Sequence, residues 1–219
     1  MQNNSIRFAC NGCGICCKGR LVPLTLNETR QWLERGHEVA IILEAFEQSI
    51  WTAGPQQFAH AAGRAVEVPC GNSHVRAVAV FAGNALVQCQ SLGDDGCCGI
   101  YEERPLVCRI YPAEINPFIA LDRENKICPP EVWEEGEVLF TDRIVDPVLA
   151  DQIERSRQAD REDAQAKIAL CKALGSRKIP VGHFRRCSIL ALRAPASRIQ
   201  PLAHMGLKTG SIDVLCTPA

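Results

Sequence analysis

The sequence has 219 residues, 24 Lys and Arg against 25 Asp and Glu, a net charge of −1, and 13 cysteines. Balanced charge removes any whole-chain case for nucleic acid or an acidic membrane as partner, and no segment approaches the roughly 20 apolar residues of a membrane span. The cysteine excess leaves three causes, which are disulfides, metal ligation or redox chemistry.

The opening residues, Met1 to Arg7, hold no apolar stretch of signal-peptide length. The expectation is therefore a cytoplasmic, reducing compartment, where clustered cysteines ligate metals more often than they pair. An odd count also argues against a complete set of disulfides.

In chain order, residues 6–20 are too rich in cysteine and glycine for regular structure and read as a loop folded around something. Thr25 followed by Glu28 has capping-box spacing, and Leu26, Trp32 and Leu33 give a short amphipathic helix that Gly36 can end. Val39 through Phe46 reads as a second helix. From Val75 to Cys89, two apolar runs around Ala82-Gly83-Asn84 read as a β-hairpin delivering Cys89 to one end of a small sheet. Gly93 to Gly96 is a turn, and Glu102 to Tyr111 a short helical turn. Asp146-Pro147 reads as an N-cap with proline at the first helical position, opening a long charged helix that ends near Gly175.

These elements predict an α+β fold, mainly helical, with one small antiparallel β-hairpin or sheet and a cysteine-rich metal-binding loop region. Residues 1–135 read as the metal-binding domain, and residues 136–219 as a charged helical C-terminal extension. Residues 131–163 are acidic, and residues 164–212 carry only bases, among them Lys167, Lys172, Arg185 and Arg186. Segment 164–212 is thus a candidate surface for an acidic protein partner, weighed against two segments of one protein packing near each other. It lacks the interleaved aromatics of single-strand binding, so nucleic acid is not expected.

The chemistry lies in the cysteines. Cys10-x-x-Cys13-x-x-Cys16-Cys17 puts four thiols within eight residues, and a two-residue gap lets one turn present two sulfurs to a metal. Three cysteines at this spacing also match the start of a ferredoxin-type run, whose remaining ligand is a distant cysteine followed by proline; Cys128-Pro129 can supply it. Adjacent cysteines normally point in different directions, so the expectation is that Cys16 and Cys17 serve different centres or that one of them is a spare. A second group comprises Cys89, Cys98 and Cys108, with Cys97 beside Cys98. Four thiolates around Zn²⁺ or a 4Fe–4S cluster leave a net charge of about −2. Lys18, Arg20, Arg104 and Arg109 lie close in sequence to supply compensating cations. The isolated Cys70, Cys171, Cys187 and Cys216 read as buried core residues, and Cys70-x-x-x-His74 is a weaker zinc-like spacing. His60, His74 and His183 are tied by spacing to no particular thiol, so nucleophilic thiol catalysis gains no support.

The cysteine run from Phe8 to Cys17, Leu24-Thr25-x-x-Glu28, Cys89, the block from Cys98 to Pro112 (Cys-Gly-Ile-Tyr-Glu-x-Arg-Pro-x-x-Cys-Arg-Ile-Tyr-Pro) and Cys128-Pro129 together resemble the YkgJ-like CxxCxxCC cysteine-cluster family. That family is described as a zinc- or iron-chelating domain and often labelled an iron–sulfur-cluster protein. The resemblance covers roughly residues 6–130. It implies Cys10, Cys13, Cys16, Cys17, Cys89, Cys98, Cys108 and Cys128 as the metal set, for zinc or an iron–sulfur cluster in one or two centres. Tyr101, Arg104 and Arg109 would be supporting residues. It also favours Cys98 over Cys97 as the ligand. The flagellin lysine N-methylases resemble this family in their cysteine-rich segment, which makes an S-adenosylmethionine-dependent enzyme the alternative, although no glycine-rich fingerprint for that cofactor is present.

Overall fold

The computed structural model describes residues 5–70, 73–175 and 188–192. In chain order its elements are β1 (Ile6–Arg7), β2 (Arg20–Leu24), α1 (Leu26–Glu34), β3 (Val39–Phe46), α2 (Pro55–Ala62), β4 (Val66–Cys70), β5 (Ser73–Ala85), α3 (Leu106–Ile110), β6 (Val138–Phe140), α4 (Pro147–Gly175) and β7 (Ser188–Leu192). The fold is α+β as expected. It is not mainly helical, and it has two sheets rather than one: β1 pairs with β6, and a larger sheet has the order β2-β5-β3-β7, with β4 also paired to β5.

The chain divides into two compact units, residues 1–22 with 84–159 and residues 23–83 with 160–219. It passes between them within β2, at the end of β5 and within α4.

In the second unit, α1 begins as its sequence indicates. The Glu28 N–H donates to Thr25 Oγ1 at 3.1 Å and the Thr25 N–H to Glu28 Oε2 at 2.9 Å, a reciprocal capping box. Two expectations fail here. Val39–Phe46 is a strand, not a helix: it pairs antiparallel with β5 from Val39↔Gly83 to Phe46↔Arg76, and with β7 along Val39–Leu43. Its alanines, leucine and glutamate suit a helix, but with a strand hydrogen-bonded on either side and Val39 to Ile42 all buried, pairing and burial override that weak preference.

The second failure is the hairpin about Gly83. β5 runs straight through Ala82-Gly83-Asn84, and its hairpin partner is β4, with Cys70↔Ser73 closing the pair. Gly83 is required for contact rather than turning, because a Cβ there would lie 2.8 Å from Trp32 Cε2. The strand stops two residues later, where the Leu86 N–H donates to Asn84 Oδ1 at 3.2 Å.

One face of this sheet presents Ile41, Leu43, Val66, Val68, Ala77, Ala79 and Phe81, the alternation a pleated strand imposes. Ile168, Leu170 and Cys171 of α4 cover it, so Cys171 is the core residue its isolation suggested. Acids of α4 act inside this unit: Asp163 Oδ2 accepts from the Leu26 N–H at 2.7 Å, and Asp160 pairs with Arg64.

The first unit has a smaller aliphatic core of Ile110, Leu139, Leu149 and Ile153, with Phe8, Ala113, Ile115 and Ile144 packed against it. β6 and the start of α4, both beyond residue 135, therefore share a core with the cysteine segments. Asp146 caps α4 as expected, its Oδ1 accepting from the N–H groups of Val148 and Leu149 at 2.7 and 2.9 Å.

Candidate metal centre

All eight cysteines of the expected metal set fall in the first unit, on four stretches of chain. Cys16 and Cys17 end a 3-10 turn, Ile15–Cys17, entered through Gly14 at φ 68°. A Cβ on Gly14 would meet the Gly96 carbonyl oxygen at 3.0 Å and Leu92 Cδ1 at 3.3 Å, so this turn lies directly on the 92–96 turn. Main chain joins the same two stretches, the Cys89 N–H donating to the Cys17 carbonyl at 2.7 Å. The Leu92 N–H donates to the Cys89 carbonyl at 3.0 Å, and Leu92 bridges Cys98.

Cys108 lies on α3, two residues before the fully buried Ile110, which anchors it to the core. Arg109 braces the approach to α3 by donating to the carbonyls of Arg104 and Glu102, so it holds backbone where sequence suggested a cation for the thiolates. The guanidinium of Arg104 stacks 3.5 Å above the Tyr101 ring.

Cys128 is held by a residue that sequence reading did not single out. Its thiol donates to Tyr111 Oη at 3.3 Å, and Arg20 and Lys126 each lie over the Tyr111 ring, 5.9 and 5.5 Å from its centroid. The signal was present, since Tyr111 stands three residues after Cys108 within the conspicuous block ending at Pro112. Phe8 packs on both Tyr111 and Trp133, with ring centroids 5.9 and 5.0 Å apart, and the Ala9 N–H donates to the Val132 carbonyl at 2.9 Å. The chain leading into Cys10 is thereby clamped to the chain leading out of Cys128.

Cys10 and Cys13 are exposed; Cys16, Cys17, Cys98, Cys108 and Cys128 are half-buried; Cys89 is buried. Cys98 acts electrostatically on both Cys89 and Cys108. Cys97 is exposed, and its N–H donates to Asp95 Oδ1 at 2.9 Å. Of the weaker zinc-like pair, Cys70 ends β4 and His74 lies in β5. Cys187, Cys216 and most of the basic segment lie outside the described residues.

Cys16 and Cys17 share a hydrogen bond that leaves the proton on Cys17. This bond lowers Cys16 to about 6, with Arg20 and Arg104 assisting, and raises Cys17. Burial pushes Cys108 up to about 12 and also raises Cys89 and Cys128. Tyr111 rises through burial and its contact with Cys128. Among the described residues, no three Cys, His, Asp or Glu side chains close around one ion position. The donor set nevertheless suits zinc or iron: the converging groups are soft thiols, and Arg20 and Arg104 stand where thiolate charge would develop. Ligation requires the thiols to lose protons and draw together, as metal-coupled folding does.

Residues 9–129 match the family CxxCxxCC, described as “Putative zinc- or iron-chelating domain”. The chain belongs to this family. The match spans more than half of the sequence and takes in all eight cysteines. No curated protein and no solved structure matches the chain.

Proposed function

We propose that this protein holds zinc or an iron–sulfur cluster through the thiolates of Cys10, Cys13, Cys16, Cys17, Cys89, Cys98, Cys108 and Cys128. The observation that supports this reading is that all eight cysteines, from four separate stretches of chain, fall in one compact unit, with Arg20 and Arg104 acting on Cys16 and Arg20 also on Cys108. Family membership supports metal binding in general.

The role follows from the metal. Zinc closed by four thiolates has no open coordination position and no accessible redox change, so its contribution is to the fold. An iron–sulfur cluster can carry an electron, and the exposure of Cys10 and Cys13 gives a redox partner an approach. Tyr111 and Arg104 support the site, one by its contact with Cys128 and the other by its charge near Cys16. Thiols kept reduced for ligation suit a cytoplasmic location, and the basic stretch 164–212 would serve an acidic protein partner.

Anaerobic purification followed by absorbance, metal and acid-labile sulfide analysis on one sample tests this. A broad band near roughly 400 nm with iron and sulfide identifies a cluster. A colourless protein with stoichiometric zinc identifies a structural site. Absence of both metals from protein purified and reconstituted under reducing conditions would refute the reading.

A further inference from the structure

Beside Cys128 stand two residues whose part in the site sequence did not indicate, Tyr111 and Lys126. Tyr111 follows the fully buried Ile110 at the end of α3, and its hydroxyl oxygen is 3.3 Å from Cys128 Sγ. Phe8 meets the Tyr111 ring edge-on, with centroids 5.9 Å apart, so the phenol is held in one orientation from the side of Cys10 as well.

Lys126 is the less expected of the two. Its side chain is only 9% exposed, and its ammonium pairs with Glu114 while lying 5.5 Å from the Tyr111 ring centroid. A lysine free of such a partner would extend its charge into water; here Glu114 keeps the cation over the ring. Arg20 lies over the same ring at 5.9 Å. By contrast Arg109, the base beside Cys108 in sequence, directs its N–H groups to the carbonyls of Arg104 and Glu102.

The chemistry of the Tyr111–Cys128 contact changes when Cys128 becomes a ligand. In the metal-free structure the thiol donates and the phenol oxygen accepts. A ligating cysteine has given up its proton to bind the metal, so its sulfur can only accept. The phenol has one O–H of its own and a rotatable hydroxyl hydrogen, so the same two heavy atoms stay bonded by reversing the donor. Cations over the ring draw on its π electrons and thereby strengthen the O–H as a donor. A donor to a metal-bound sulfur relieves the negative charge that thiolates bring to the site.

We infer that Tyr111 is a positioning residue for the metal centre, its hydroxyl donating to the ligated sulfur of Cys128, with Lys126, anchored by Glu114, as the cation that strengthens that donor. This rests on the metal-binding reading above and adds two residues and their roles to it.

The test uses the full chain, anaerobic and reduced, titrated with cobalt(II) and, for affinity, with zinc against a chromophoric chelator. Tyr111→Phe keeps the ring and its contacts and removes only the oxygen. It should bind as many metal ions as wild type, with affinity lower by about 10–100-fold, and its sulfur-to-cobalt charge-transfer band should move to longer wavelength, because a sulfur without the donor is a better electron source. Lys126→Met should shift the band in the same direction by less, and Lys126→Arg should restore it. If the protein carries an iron–sulfur cluster, Tyr111→Phe should lower its reduction potential, since hydrogen bonds to cluster sulfur favour the reduced, more negative state. Urea unfolding of the metal-free chains should be alike for wild type and Tyr111→Phe.

Wild-type affinity and an unmoved band in Tyr111→Phe would overturn the inference while leaving metal binding intact. So would weaker binding with an unmoved band and an equal loss of metal-free stability, which would make the hydroxyl a packing element alone. A Lys126→Met band identical to wild type would remove Lys126 from the assignment. A wild-type chain that takes up neither cobalt nor zinc nor iron would overturn the metal reading itself.

Discussion

The two units of this chain achieve order by different means. In the unit of residues 23–83 and 160–219, β3 and β5 are paired over eight registered positions, and alternate residues supply an apolar face that α4 covers. In the other unit, the β1–β6 pairing joins only Ile6↔Phe140 and Arg7↔Val138. Its cysteine stretches are tied by single contacts such as Cys89 to Cys17 and Ala9 to Val132. Ladder hydrogen bonds and burial specify the first kind of structure without help. Around the cysteines neither is plentiful, and a bound metal can supply the missing free energy, because ligand binding that requires the folded geometry is itself folding free energy.

The sharpest way to test that contrast is metal removal. Chelation under reducing conditions should strip hydrogen-exchange protection from the amides of Ala9, Cys89 and Leu92 while those of β3 and β5 stay protected. Uniform loss in both units would mean that the metal supports the whole fold and that the contrast is false.

Core truncation gives the next largest effect. Ile110 is fully buried, and Ile110→Ala should cost about 3–4 kcal/mol in urea unfolding of the metal-loaded protein. It should also weaken metal retention, because Cys108 is two residues away on the same short helix. In the sheet unit, Gly83→Ala forces a Cβ onto the Trp32 ring and should cost about 1–3 kcal/mol, with metal content unchanged. Equal metal loss in both variants would show that the cysteine site depends on the sheet.

What sequence could reveal divides along the same line. Thr25 with Glu28 and Asp146 with Pro147 were legible because a helix start is written within three or four residues. The cysteine run and the block around Cys108 were legible because chemistry restricts the residue types. The strand Val39–Phe46 was not, since its identity depends on β5 lying some forty residues on, and local composition allows a helix. Gly83 misled for a related reason: a glycine required by a neighbouring Trp32 ring and a glycine required by a turn look the same in sequence. Tyr111 was passed over because its contact with Cys128 is made across 17 positions.

Proton linkage sharpens the picture of the metal-poor state. Burial raises Cys89, Cys108 and Cys128, so these thiols hold their protons at neutral pH until a metal displaces them. The sign follows directly: binding releases protons, so affinity rises with pH, by about tenfold per pH unit for each proton displaced. Competition against a chromophoric chelator between about pH 6.5 and 8.5 reads the slope. A flat profile would mean that the thiols are already ionised and that burial is not the force holding them protonated.

The smallest effect isolates the sheet unit. Thr25→Ala removes the side-chain half of the capping box, leaving the Glu28 N–H without its Oγ1 acceptor, and should destabilise the protein by about 1 kcal/mol in urea unfolding. Thr25→Ser keeps that oxygen and should recover most of the loss. Metal content should be unchanged in both, since the box lies wholly within residues 25–28 and is satisfied by its own side chains. Were Thr25→Ala to lower metal occupancy and Thr25→Ser to restore it, the start of α1 would have to be counted among the supports of the cysteine site. Strand β2, which runs from Arg20 to Leu24, would then be the covalent route by which the two modes of ordering are joined.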